Sequence, residues 1–120
     1  DTNSSNLKNN YGKIKIHSYQ TNQLEQTSNM FCGVLMGDHS KTGINTMLNT
    51  ATTIGVSANV FGAQFPPKFI PSFSWGGFVD SPKFKIDKAF DVAQNMMMRR
   101  ALSLTKEEKN ILTHIAEHNL

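Results

Sequence analysis

The sequence predicts a mainly β protein: a single-stranded parallel β-helix of hexapeptide repeats, followed by two carboxyl-terminal α-helices. Three observations carry this expectation. Residues Met36 to Val60 repeat every six positions, no helical or alternating period fits that stretch as well, and the last third holds two amphipathic stretches with helix-start signals. Stepping by six gives Met36, Thr42, Leu48, Ile54 and Val60, all but one of them apolar. Gly37, Gly43 and Gly55 directly follow three of these, and Ser40, Thr46, Thr52 and Ala58 occupy the small-residue column. This is the pattern aliphatic-Gly-x-x-small-x, in which three short strands complete one triangular coil. The aliphatic residue points inward and stacks on its counterpart, the small residue fits the inner corner, and glycine admits backbone angles that a β-carbon opposes. Extended backwards, the register takes in Met30 with Val34 and Leu24 with Ser28, without the glycine.

The remaining elements follow in chain order. Residues 1–29 divide into a polar loop, 1–12, and a hairpin-like excursion, 13–29, that opens with the alternating strand signal Lys13-Ile-Lys-Ile-His17. Ile14 and Ile16 would share one face. The hexads occupy 30–62. Residues 63–80 are rich in phenylalanine and proline and include Trp75; the prolines oppose a helix or central strand, while the aromatics need burial. An extended aromatic arm, laid across the coils or onto a neighbouring subunit, is expected there. Within 81–120, Asp87 is expected to cap a helix reaching about Arg100, with Phe90, Ala93 and Met97 on one face and Arg99 and Arg100 in its last turn. Thr105-Lys-Glu-Glu108 is a capping box, followed by Ile111, Leu112 and Ile115 on one stripe. Met96, Met97 and Met98 cannot all face one way, so they are expected to divide between core and a partner chain.

The chain of 120 residues suits one modest domain, and a net charge of +3 is mildly basic. Its lysines are scattered, and no nucleic-acid-binding signature accompanies them. A phosphorylated small molecule is a better expectation than nucleic acid. The single cysteine, Cys32, excludes an internal disulfide framework and fits a reducing cytoplasm. No apolar run approaches a membrane span, and the polar amino end is unlike a signal peptide. The chain begins with Asp1 rather than methionine, and is read as a piece of something longer.

Few residues carry recognisable chemistry. His114-Ile-Ala-Glu-His118 matches the H-x-x-E-H zinc pattern, but open catalytic zinc needs a third ligand and no sequence follows to supply it. An exposed face of a terminal helix accounts for it better. His39 and His17 do not complete a three-histidine metal site, and His39 is expected to face outward near a corner. Gly37-Asp-His-Ser-Lys-Thr-Gly43 lacks the spacing of a phosphate loop, and its glycines belong to the hexads. Asn6, Lys8, Asn10 and Tyr11 form a polar cluster with two readings of equal weight: a site for an anionic ligand, or a solvated loop.

The strings Asn6-Leu-Lys-Asn-Asn-Tyr-Gly12, Gly37-Asp-His-Ser-Lys-Thr-Gly-Ile-Asn-Thr46 and Phe69-Ile-Pro-Ser-Phe-Ser-Trp-Gly-Gly77 give a more specific likeness. With the hexads between them, they resemble the carboxyl-terminal part of one family over about residues 4–115. It is the alternative bacterial bifunctional UDP-N-acetylglucosamine diphosphorylase/glucosamine-1-phosphate N-acetyltransferase family. These sugar nucleotidyltransferase-like proteins are often labelled glucose-1-phosphate thymidylyltransferase.

The resemblance implies a left hand for the coil, which the period does not fix, and a homotrimer with acetyl-CoA lying between neighbouring coils near a subunit boundary. Acetyl would pass from acetyl-CoA to an amino-sugar phosphate. Against the better known bifunctional acetyltransferase, Ile44 takes the place of a serine and Gly62 that of an alanine, both near acetyl-CoA. The asparagine-tyrosine loop of that enzyme is similar to Asn6 through Tyr11, with either Asn6 or Asn10 as the functional asparagine. By this likeness Asn6, Ile44 and Gly62 would meet the cofactor, and Lys8, Asn10 and Tyr11 the sugar phosphate. The family's catalytic histidine and its nucleotidyltransferase domain, the only part needing Mg²⁺, would both precede Asp1. The chain alone is then expected to hold no complete active site and no metal. The alternative is a non-catalytic β-helix that trimerises and regulates a nucleotidyltransferase. A surface-binding threonine array is disfavoured, because Thr46 and Thr52 occupy inward corners.

Overall fold

A computed structural model describes residues 2–120; Asp1, the first residue of the expected polar loop, lies outside them. The chain is mainly strands with two helices. In order these are β1 (Asn3–Ser4), β2 (Lys15–Ser18), β3 (Gln23–Gln26), β4 (Leu35–Met36), β5 (Lys41–Thr42), β6 (Met47–Leu48), β7 (Thr53–Ile54), β8 (Asn59–Val60), β9 (Phe69–Ile70), β10 (Trp75–Gly76), α1 (Ile86–Met98) and α2 (Lys106–Glu117). No helix among the described residues is long and apolar enough to cross a membrane.

Three sheets are parallel, ordered β1-β6, β4-β7-β9 and β10-β8-β5. Leu35 pairs with Thr53 and Lys41 with Asn59, a step of three hexads in both. Between strands the chain turns once per hexad on a residue of positive φ. His39, Asn45, Ala51 and Ser57 have φ of 62, 58, 59 and 53°. Asparagine tolerates this region, whereas alanine and serine enter it at a steric cost that the surrounding pairing must offset. The small column follows each turn, and its hydroxyls bond to backbone carbonyls. Thr46 Oγ1 donates to the Gly43 carbonyl at 2.8 Å, Thr52 Oγ1 to Asn49 at 2.7 Å, and Ser40 Oγ to Gly55 at 2.6 Å. Buried threonine is tolerated there because its oxygen is satisfied.

The inward column is buried from Leu48 onward: Leu48, Ile54 and Val60 are 4, 2 and 1 % exposed and pack with Ala58 and Ile70. Met36 departs from the expectation. It lies on β4, an outer strand of its sheet, and is exposed, while Thr42 on β5, likewise outermost, is half-buried. The backward extension also ends early: Val34 packs on the core, but Met30 and Leu24 are exposed. Leu24 lies on β3, which pairs antiparallel with β2 and not with a hexad strand.

Residues 13–29 form the expected excursion. Its strand starts at Lys15 rather than Lys13, and its base closes through Ile14, whose amide donates to Asn29 and whose carbonyl accepts from Thr27. Ile14 is fully buried and Ile16 half-buried. The expected loop before it contains a strand, since Asn3 and Ser4 pair with Met47 and Leu48. The aromatic segment is not an arm lying across the sheets. Phe69 and Ile70 pair with Thr53 and Ile54, and Trp75 and Gly76 with Asn59 and Val60, a step two residues shorter than the earlier one.

The first helix begins one residue before Asp87, which therefore sits in the first turn instead of capping. Lys85 is at the N-cap without a side-chain cap bond. Arg99 is the C-cap and Arg100 follows it, so neither lies in the last turn. Ala93 is buried, with Phe90 and Met97 packed around the same cluster; Met96 and Met98 are exposed. Thr105 and Glu108 form the reciprocal capping box. Leu112 is buried and Ile115 partly so, but Ile111 is exposed. Both helices bury their apolar faces against Phe73, placing a second core beside the sheet core.

Candidate functional site

The residues expected to bind ligands fall into two groups. Ile44 and Gly62 stand on one edge of the β-structure, three hexads apart, just after β5 and β8. Ile44 is 82 % exposed, and Gly62 is exposed with φ of 133° and Phe78 beside it. Next to them is a hollow of about 270 Å³ whose walls include Lys41, Gly43, Asn59, Phe61 and Trp75. The paired strands place Lys41, Asn59 and Trp75 side by side, and Phe61 meets the Trp75 ring edge to face at 5.6 Å. Lys41 donates to the His39 carbonyl at 3.0 Å, and burial lowers its pKa from the ordinary lysine value. An amine above an aromatic-edged apolar floor can hold an anionic group whose other end is apolar.

The second group belongs to a tight turn after β1. The Tyr11 amide donates to the Lys8 carbonyl at 3.0 Å, and Tyr11 takes φ of 57°. Asn10 Oδ1 accepts from the Gly12 amide at 2.9 Å, so its carbonyl shapes the turn and its amide nitrogen stays free to donate. Asn6 is held through its backbone, its carbonyl accepting from Cys32 at 3.0 Å, while its side chain is exposed. Tyr11 is 69 % exposed.

Lys8 from this turn reaches a cleft of about 220 Å³ shared with Ser5, Asn9, Asn49, Thr50 and Lys68. Lys68, Asn49 and Thr50 were not expected from the sequence. Lys68 lay in the segment expected as an arm, and the two-residue shortening after Val60 hides its place beside Thr53. The Ile44 corner and the Lys8 cleft are lined by different residues, so one chain does not bring the two expected groups into one site.

The four histidines do not gather into one site. His17 stacks on Phe69, and His39 is half-buried in a hollow against α2 rather than turned outward. His114 and His118 stack at 4.0 Å on the exposed side of α2. Among the described residues no cluster of metal-ligating side chains is present. No family model matches the chain, and neither does any curated protein or solved structure.

Proposed function

We propose that the three parallel sheets are the walls of a left-handed β-helix. On this reading the chain is the acyltransferase-type portion of a sugar-nucleotide biosynthetic transferase, working as a homotrimer with acetyl-CoA and an amino-sugar phosphate. The observation that carries this reading is the three-hexad step that sets Ile44 and Gly62 on one edge beside the Lys41–Trp75 hollow. Acetyl-CoA would lie along that edge, with backbone groups near Gly43 and Gly62 facing the thioester and Lys41 its anionic part. The Asn6–Tyr11 turn, remote in the same chain, would reach this edge from a neighbouring subunit. Exposed Phe61, Phe65 and Val79 near the edge supply apolar surface for such contact.

Calorimetry with acetyl-CoA, paired with light scattering, tests the reading. A trimer that binds one acetyl-CoA per subunit, with tighter binding by Ile44→Ser, supports it; that substitution restores the hydroxyl found at this position in the better known enzyme. A second reading is favoured by Ile44 itself, whose exposed aliphatic side chain suits a subunit contact better than a polar cofactor. In that case the domain trimerises and regulates an attached nucleotidyltransferase. A trimer that binds no acetyl-CoA, even as Ile44→Ser and in the longer protein carrying the preceding coils, favours that reading. A monomer overturns both.

A further inference from the structure

We infer that Lys68 and Lys8 together form a binding site for a phosphate group, in the cleft closed by Ser5, Asn9, Asn49 and Thr50. Two lysines, two asparagines, a serine and a threonine line the cleft with Leu7, and no acidic residue does; the Lys8 ammonium also donates to the Lys13 carbonyl at 3.4 Å. Like charges gather this way only at a cost, which an anion between them removes.

Lys68 is fixed in place by the fold. Its carbonyl accepts from the Thr53 amide at 2.7 Å through the sheet, and its ammonium donates to the Lys15 carbonyl at 2.8 Å. The next residue, Phe69, is clamped by the His17 ring. The β2–β3 hairpin therefore holds this lysine from both sides. One of three ammonium donors is used on Lys15, leaving two for a ligand. Burial, then repulsion from Lys8 and from Lys15, lowers the Lys68 pKa from its ordinary value. Asn49 and Thr50 approach from the turn after β6, and Lys8 from the turn after β1.

A cleft of about 220 Å³ has room for a phosphoryl group. The site stands without the acyltransferase reading. Joined to it, Lys68 becomes a substrate-phosphate ligand that the sequence did not reveal.

The test is an amide NMR titration with inorganic phosphate at constant ionic strength, repeated with glucosamine 1-phosphate. Saturable shifts are expected at Lys8, Asn9, Asn49 and Thr50. Lys68→Ala and Lys8→Ala should each weaken binding about tenfold or more, and Lys83→Ala should not. Lys68→Arg keeps the charge and should retain most of the affinity; unchanged resonances of Ile54 and Val60 report that each variant is folded. Non-saturating shifts, or equal weakening by Lys83→Ala, overturn the site. Tighter binding of the sugar phosphate than of phosphate supports a substrate subsite, and equal binding overturns that extension. Acetyl-CoA binding, followed separately at the Ile44 corner, can fail without phosphate binding failing, so the two readings fall independently.

Discussion

His17 lies flat on Phe69, the ring centroids 3.6 Å apart and the planes 10° from parallel. This contact joins the hairpin to the sheet edge, with Tyr19 meeting both rings edge-on. The Nε2 atom of His17 is buried without a hydrogen-bond partner, so a proton there would gain no acceptor. Burial lowers the His17 pKa from 6.5, and the folded chain takes up this proton less readily than the unfolded chain. The stability of the neutral stack is therefore fully present above the unfolded value and is lost as pH falls through the lowered folded one. Melting temperature should fall between about pH 7.5 and pH 5. His17→Phe keeps a flat ring without titrating and should reduce that fall. An identical pH slope in the variant would remove His17 as its source.

Gly55 passes close beneath Ser72. A β-carbon at Gly55 would come within 2.4 Å of the Ser72 amide nitrogen and 2.5 Å of its hydroxyl, which already accepts from Val56 at 2.8 Å. Backbone cannot yield as a side-chain tip can, so Gly55→Ala should cost about 1–3 kcal/mol in urea unfolding. Gly33 provides the contrast, with nothing within 4 Å of its added β-carbon. Gly33→Ala should be neutral, or stabilising by about 0.4–1 kcal/mol through the unfolded chain. Equal effects at both glycines would count against the close approach.

Thr52 and Thr53 are adjacent and both buried, yet they should respond oppositely to valine. The Thr52 hydroxyl donates to the Asn49 carbonyl at 2.7 Å, whereas the Thr53 hydroxyl has no partner. Thr52→Val removes one of two donors to that carbonyl, the Thr52 amide at 3.2 Å remaining, and should cost about 0.5–1.5 kcal/mol, while Thr53→Val removes an orphaned oxygen and should be neutral or stabilising. Denaturant midpoints of the two variants decide this; a similar loss in both would show that the hydroxyl bond is not the source.

The same hydroxyls explain what was legible in the sequence. The hexads placed Leu48, Ile54, Val60, Thr46, Thr52 and Ala58 inside, and these are buried, because the period fixes which way each side chain points along the short strands. Met36 shares their column but lies outside the core cluster that buries Leu48, and where that cluster ends is a matter of stacking that local pattern does not encode. After Val60 the pairing step shortens by two, and Pro66, Pro67 and Pro71 imitate the composition of an arm. Strands β9 and β10 were hidden for that reason, and Lys68 with them. Of the candidate site, Ile44 and Gly62 were suggested by the family likeness alone, and the period accounts only for their standing three hexads apart. The cleft joining Lys8 to Asn49 and Lys68 was not, since it depends on turns distant in sequence.

Phe73 links the sheets to the helices and offers the strongest test of how the two cores are coupled. Its amide donates to the Val56 carbonyl at 2.9 Å and its carbonyl accepts from Phe84 at 2.7 Å, while its ring is 2 % exposed among Ala89, Ala93, Leu104 and Leu112. The fully buried side chains of α1 are Ala89 and Ala93, so this ring fills space between that helix and the sheet. Phe73→Ala should cost about 3–5 kcal/mol, because removing a buried ring leaves a cavity that its neighbours fill only in part. The loss should concentrate in α1 and α2, since the sheet cluster of Leu48, Ile54, Val60 and Ile70 does not include the ring. Amide exchange would show it as lost protection at Ala93 and Leu112, with Ile54 and Val60 still slow. Helix amides that stay as protected as those of the sheet would place the coupling elsewhere, with Phe84, Ile86 and Phe90 as the remaining candidates.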